Sequence, residues 1–168
     1  MAAGLTYEPI ATTTLGSAGT VTFSSIPQTY TDLVVILAIA GVSSAGNDCG
    51  MQFNGDTTTN YTFTLMMGSG SSAVAYRFSS NRAIIDGGYS GIYNGSSNAI
   101  ANIMNYSNTT TYKTTIARGN SAGLTGAETT ATVSLWKNTA AINQVKVMLN
   151  GANFATGTVV SLYGIAAA

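Results

Sequence analysis

The sequence predicts an all-β protein, a single-domain, jelly-roll-like sandwich of two antiparallel sheets, on three observations. The run Leu33-Val34-Val35-Ile36-Leu37-Ala38-Ile39-Ala40 is apolar throughout, rich in β-branched residues and bounded by Pro27 and Gly41, which suits a strand better than a helix. Short segments with a two-residue period recur at a spacing of roughly 8–12 residues, with turn residues between them. No ten-residue window carries an amphipathic helical stripe, and no repeat at a fixed period indicates a solenoid or propeller.

Taken in order, Tyr7 to Leu15 reads as an extended segment that Pro9 confines to a sheet edge, because proline cannot donate to a ladder. In Val21-Thr22-Phe23 the apolar residues point one way and Thr20, Thr22 and Ser24 the other, the pattern of a half-buried strand. Leu33 to Ala40 is expected to be a central strand buried on both faces. Gly50 to Phe53 is a short strand, and Asn54-Gly55-Asp56 after it has the residues of a tight hairpin turn with positive φ. Tyr61, Phe63 and Leu65 alternate with Thr62 and Thr64, and Met66 and Met67 are expected to fill gaps in the core. Gly68 to Ser72 is a loop. Ala75 to Phe78 and Arg82 to Ile85 are strands joined at Ser79-Ser80-Asn81, and Gly87 to Ser97 is a long loop of the kind that more often contacts a partner than lies idle.

The remaining strands are Ile100 to Tyr106, Tyr112 to Arg118, Glu128 to Trp136, Val145 to Leu149 and Val159 to Ile165. Turns are expected at Ser107-Asn108-Thr109, Gly119-Asn120-Ser121, Asn138-Thr139 and Asn150-Gly151. Roughly nine to eleven strands on one domain select the jelly roll. Residues 1–19 are read as an extended arm with a first edge strand, able to reach a neighbour by strand addition. Residues 20–168 form the sandwich.

Only 7% of the residues are charged, against roughly 25% in an ordinary soluble domain, and the six basic residues balance the six acidic ones. No field gathers nucleic acid or an anionic membrane, and the three arginines and three lysines are scattered. A surface held in solution by Thr, Ser, Asn and Gly suits dense packing in an assembly. Met1-Ala2-Ala3-Gly4 lacks the basic start and apolar core of a secretion signal, so the expectation is a chain made in a cytoplasm. The Asn-x-Ser/Thr triplets at Asn60, Asn94, Asn105 and Asn108 then imply no glycan.

The absence of histidine removes the commonest general base and metal ligand, and with it every triad or zinc site built on imidazole. Paired-carboxylate chemistry would need two of Glu8, Asp32, Asp48, Asp56, Asp86 and Glu128, none of which sits in a motif; Asp32 is read as capping or turning the chain. Asp48 with Asn54-Gly55-Asp56 offers oxygens to calcium but fails the EF-hand spacing, so turn formation is the better reading. Cys49 is the only cysteine and reads as a packed strand residue. Tyr76, Tyr89 and Tyr93 are candidates for stacking on sugars, although a tyrosine in a β-protein is usually half-buried; Trp136 reads as core or rim packing. Neither catalytic residues nor a metal or cofactor site is expected.

Several stretches, in order, carry a family likeness. They are Tyr7-Glu8-Pro9-Ile10-Ala11-Thr12-Thr13-Thr14-Leu15-Gly16, Val21 to Pro27, Tyr30-Thr31-Asp32-Leu33, Phe53-Asn54-Gly55-Asp56, Asn60-Tyr61 and Met104-Asn105-Tyr106-Ser107. Tyr112-Lys113, Leu135 to Ile142, Gly151-Ala152-Asn153-Phe154-Ala155 and Ser161-Leu162-Tyr163-Gly164-Ile165 continue it. Together they resemble the small structural proteins of tailed bacteriophages, including phages of cyanobacteria and other aquatic hosts. The resemblance implies a non-enzymatic virion component; a chain that is nearly all sandwich suits a head decoration (cement) protein on the major capsid protein lattice, and capsid symmetry makes a homotrimer at local three-fold positions the expected geometry. Its alternative is a tail-fibre or baseplate module that contacts host-surface glycans. Neither nucleic acid nor membrane is an implied partner.

Overall fold

The computed structural model describes residues 6–41, 48–86, 97–123 and 126–166, with backbone alone at 121–123 and 126. Its strands are β1 (Tyr7–Thr14), β2 (Val21–Phe23), β3 (Asp32–Ile39), β4 (Cys49–Phe53), β5 (Tyr61–Gly68) and β6 (Ala73–Ser80). They continue as β7 (Ala83–Asp86), β8 (Ser97–Met104), β9 (Lys113–Gly123), β10 (Gly126–Trp136), β11 (Val145–Leu149) and β12 (Val159–Ile165). No described residue is helical. One sheet has eight strands in the order β1-β12-β3-β8-β9-β10-β5-β6, the other four in the order β2-β11-β4-β7, and every pairing is antiparallel.

This is a jelly roll with an extension. β1, β12, β3 and β8 form one four-stranded half and β2, β11, β4 and β7 the other, each strand crossing to the opposite sheet as the two-layer winding requires. Two inserted hairpins, β5–β6 and β9–β10, join edge to edge and widen the first sheet beyond β8. The four-stranded sheet reaches β9, β10 and the near side of β5 through β7. The outermost strand β6 therefore projects past the covering layer, whereas Tyr61 and Leu65 of β5 are buried.

Between the layers lie Leu33, Val35, Leu37 and Ile39 of β3, Met51 and Phe53 of β4, Val145, Val147 and Leu149 of β11, and Val160 and Leu162 of β12. Phe53, Tyr61 and Trp136 pack as an aromatic group, with Tyr61 and Trp136 stacked at 6.2 Å. Gly164 admits the Tyr30 ring, since a Cβ there would lie 2.3 Å from ring carbons.

Several expectations change. β3 is central, but Ile36 and Ala38 point out of the sandwich and are exposed, because no described strand packs on the outer face of the wide sheet there; Val34 on the same face is buried. Met66 is 61% exposed on that face and fills no core gap. Asn54-Gly55 has the expected positive φ at both positions, and Asp56 N–H closes the turn on Phe53 O at 2.9 Å. Yet the turn is a corner and not a hairpin, since β4 and β5 belong to different sheets. Ser79-Ser80-Asn81 likewise precedes a sheet crossing from β6 to β7. Gly119-Asn120-Ser121 makes no turn and lies inside β9, whose pairing with β10 runs on to Gly123↔Gly126. Of residues 1–19, Tyr7–Thr14 forms an edge strand paired along β12 of the same chain and Gly19 bridges Phe154, while residues 1–5 lie outside the described residues. Pro9 does sit on an edge strand, beside a register shift between Pro9 and Ala11.

Candidate functional site

The carboxylates that paired chemistry would need are engaged in separate structural contacts. Glu8 accepts from the Tyr30 hydroxyl at 3.0 Å, and Asp32 accepts the Asn105 N–H at 2.5 Å, tying the start of β3 to the turn after β8. Asp48 forms a bidentate ion pair with Arg82 at 2.9–3.3 Å, whose stem lies over Gly50. Asp86 is buried and accepts from the Thr130 hydroxyl at 2.8 Å; a Cβ on Gly119 would meet its carboxyl carbon at 2.8 Å, so the glycine makes room for it. Glu128 is half-buried on β10. No group of three or more potential metal ligands occurs among the described residues.

Asp56 is the hub of the corner after β4. Its oxygens accept from Thr58 N–H at 2.9 Å, Thr58 hydroxyl at 2.5 Å, Asn60 amide at 3.1 Å and Trp136 indole at 2.8 Å. Burial opposes its ionisation, but these donors outweigh it and hold the carboxyl at about 2. Asn54 seals the same corner, donating to Ala141 O and accepting from Asn143 and Gln144 N–H. Of the residues weighed for calcium, Asn54 and Asp56 are thereby engaged by this corner and Asp48 by Arg82.

The other reactive types are packed away. Cys49 is fully buried, and burial, reinforced by the charges of Asp86 and Asp48, pushes its thiol well up, which disfavours the thiolate. Lys113, which its sequence did not single out for chemistry, is fully buried; burial lowers its pKa, and its ammonium donates to Thr111 O and Thr139 O. Nothing in its local pattern marks it, because Thr139 lies across a loop. Trp136 belongs to the core.

What remains at the surface is the outer face of the eight-stranded sheet. Directly paired residues share a face, which places Ile36, Ile100, Ile116, Val133 and Met66 on it together with Met104. Val133, opposite Ile116, is 50% exposed. Thr64, Thr114, Asn98, Asn102 and Asn120 stand between them, and Arg77 and Arg118 are the charged side chains within the face, with Asp32 at its rim. Three shallow, open depressions lie here, along Ile36, Ile100 and Arg118, along Met66 and Ala75, and along Thr64, Arg77 and Val133. No carboxylate lines any of the three.

On the opposite face, where β6 outruns the covering sheet, Phe63, Tyr76 and Phe78 form an aromatic ledge. Phe63 pairs directly with Phe78, ring centres 6.0 Å apart, and Tyr76 stacks on Phe78 at 6.1 Å. Phe78 is 57% exposed and Tyr76 40%. Tyr76, singled out in the sequence, is thus exposed beside Phe78, which the sequence did not single out. Tyr89 and Tyr93 lie outside the described residues.

Neither family models nor curated proteins match this chain. Among solved structures, a protein of unknown function from Shewanella oneidensis MR-1 aligns with a TM-score of 0.22 at 8% identity, over 100% of this chain and 82% of that one. A likeness at that level carries no argument about fold or role.

Proposed function

We propose that this chain is a non-enzymatic structural protein of a phage virion, a head decoration protein that lies on the major capsid protein lattice and cements it. The observation that carries this reading is the nearly uncharged outer face of the eight-stranded sheet, on which no described strand packs. At about 4.8 Å between strands and about 3.4 Å per residue, such a face extends over about 1,000 Å². A standard protein interface needs roughly 800 Å² per partner. Exposed aliphatic side chains among hydroxyls and amides, with few charges to desolvate, are the composition a protein surface can cover cheaply. The jelly roll and the sequence likeness to phage structural proteins point the same way. In this reading the chain is made in the host cytoplasm and assembles on the head, as trimers at local three-fold positions.

The test is the copy number of the chain relative to the major capsid protein, by quantitative mass spectrometry of purified particles. A fixed large ratio, near one to one or a simple fraction of it, supports decoration, and absence from particles overturns the reading. Cementing further requires that particles lacking the chain lose their DNA at lower temperature and under milder osmotic shock than complete ones.

A second reading has its own observation. The Tyr76–Phe78 ledge offers adjacent aromatic planes at an open edge, as a tail-fibre or baseplate module contacting host glycans would need. A handful of copies per particle, with cell binding lost in Tyr76→Ala and Phe78→Ala, would select it.

A further inference from the structure

Sheet edges expose backbone donors and acceptors, and proteins guard them against unwanted strand pairing. Three of the four edges here are guarded. β1 carries Pro9 and a bulge. β2 is three residues long. β7 is four residues long, and its Ile84 N–H and C=O are both engaged by the Ser134 hydroxyl at 3.0 and 3.3 Å. β6 is different. It is eight residues long, follows β5 in unbroken register from Tyr61↔Ser80 to Gly68↔Ala73, and contains neither proline nor bulge. Its one charged residue is Arg77, and it projects beyond the covering sheet with most of its side chains exposed.

The geometry points to β6 as a two-fold interface, in which β6 of a second copy pairs antiparallel with it and joins the two eight-stranded sheets into one. The register follows from the side chains. Antiparallel partners related by a two-fold axis must keep like faces together, so the axis passes through one residue and that residue meets itself. Centres at Tyr76 and at Arg77 both keep seven of the eight residues of β6 paired. A centre at Arg77 sets two guanidinium groups directly across from each other, which is unfavourable. A centre at Tyr76 places Tyr76 against its own copy, Val74 against Phe78, and Arg77 against the small Ala75. Aromatic and β-branched pairs of this kind are the favourable cross-strand neighbours. Self-pairing uses up both edges, so association closes at two copies and does not run on into fibres. This contact is additional to any three-fold association, and on a lattice of three-fold sites it links neighbours across the two-fold axes between them. It does not depend on the virion reading, because it rests on β6 alone.

The test uses the full-length chain. Opposed Cα atoms in an antiparallel pair lie about 4.5–5.5 Å apart, inside the range a disulfide spans. Under mild oxidation Tyr76→Cys is expected to become a covalent dimer on a non-reducing gel. Arg77→Cys and Thr64→Cys should cross-link at least tenfold more slowly, and the wild type, with its one cysteine buried, should not cross-link. By light scattering, Tyr76→Lys, which opposes two ammonium groups at the axis, is expected to halve the mass seen for the wild type. The inference is overturned if Tyr76→Cys stays monomeric on the gel, if Thr64→Cys cross-links as fast, or if Tyr76→Lys leaves the mass unchanged. Faster cross-linking through Arg77→Cys overturns the register.

Discussion

At Asp56 two effects of opposite sign meet in one carboxyl group. Burial would raise its pKa, yet donors from Thr58, Trp136 and Asn60 bring it down from the ordinary 3.8 to about 2. A depressed carboxyl pKa stabilises the fold fully above 3.8, and that contribution is lost as pH falls through about 2. Thermal melts of the wild type should therefore drop between pH 4 and pH 2, in the window set by this shift, and Asp56→Asn should flatten the drop there. At neutral pH Asp56→Ala strands the buried Trp136 indole and is expected to cost on the order of 2–3 kcal/mol by chemical denaturation. Gly164 answers to shape alone. Gly164→Ala drives a methyl into the Tyr30 ring and should cost about 1–3 kcal/mol, and pairing it with Tyr30→Ala should give less than the sum of the two single losses. The part of Asn54-Gly55-Asp56 legible in sequence was its turn, because Asn-Gly dictates local φ. The Trp136 contact was not legible, because it spans 80 residues.

Among the elements, β10 has two alternating faces, and the more polar one points inward. Thr130, Thr132, Ser134 and Trp136 are buried while Val133 and Ala131 face out, the reverse of ordinary amphipathic patterning. The reason is β7, a short edge strand lying across β9 and β10, whose Ile84 backbone is completed by the Ser134 hydroxyl and whose Asp86 is held by Thr130. Hydroxyls belong inside here because a sheet edge is buried against them. Ser134→Ala should destabilise by about 1–3 kcal/mol and raise hydrogen exchange at the Ile84 amide more than at Phe53; equal change at both would count against a local role. Strand positions were readable from the two-residue period and from turn residues, both of which act within a few residues. The misplaced turn at Gly119-Asn120-Ser121 shows where that stops. Gly119 is there for the approach of Asp86, and a close approach looks in sequence like a bend.

For the whole molecule, the widened sheet has one face on which no described strand packs. Ile116→Lys together with Met66→Lys should leave the thermal midpoint within a few degrees, since both side chains are solvated already. The same pair should weaken attachment to particles lacking the chain at least tenfold in a sedimentation binding assay, and unchanged attachment would reject this face as the docking surface. The amino-acid sequence by itself determined the all-β class, nearly all the strand positions, the low charge and the absence of imidazole chemistry, because composition and short-range periodicity are local quantities. Only the tertiary structure decided that two hairpins extend one half of the jelly roll and that β10 turns its hydroxyls inward. It also decided that Ile36, Met66 and Val133 remain in water and that β6 is left as an open edge. Each of these depends on which strands meet across the sandwich, and that choice is set by burial summed over the whole chain, which no single segment encodes.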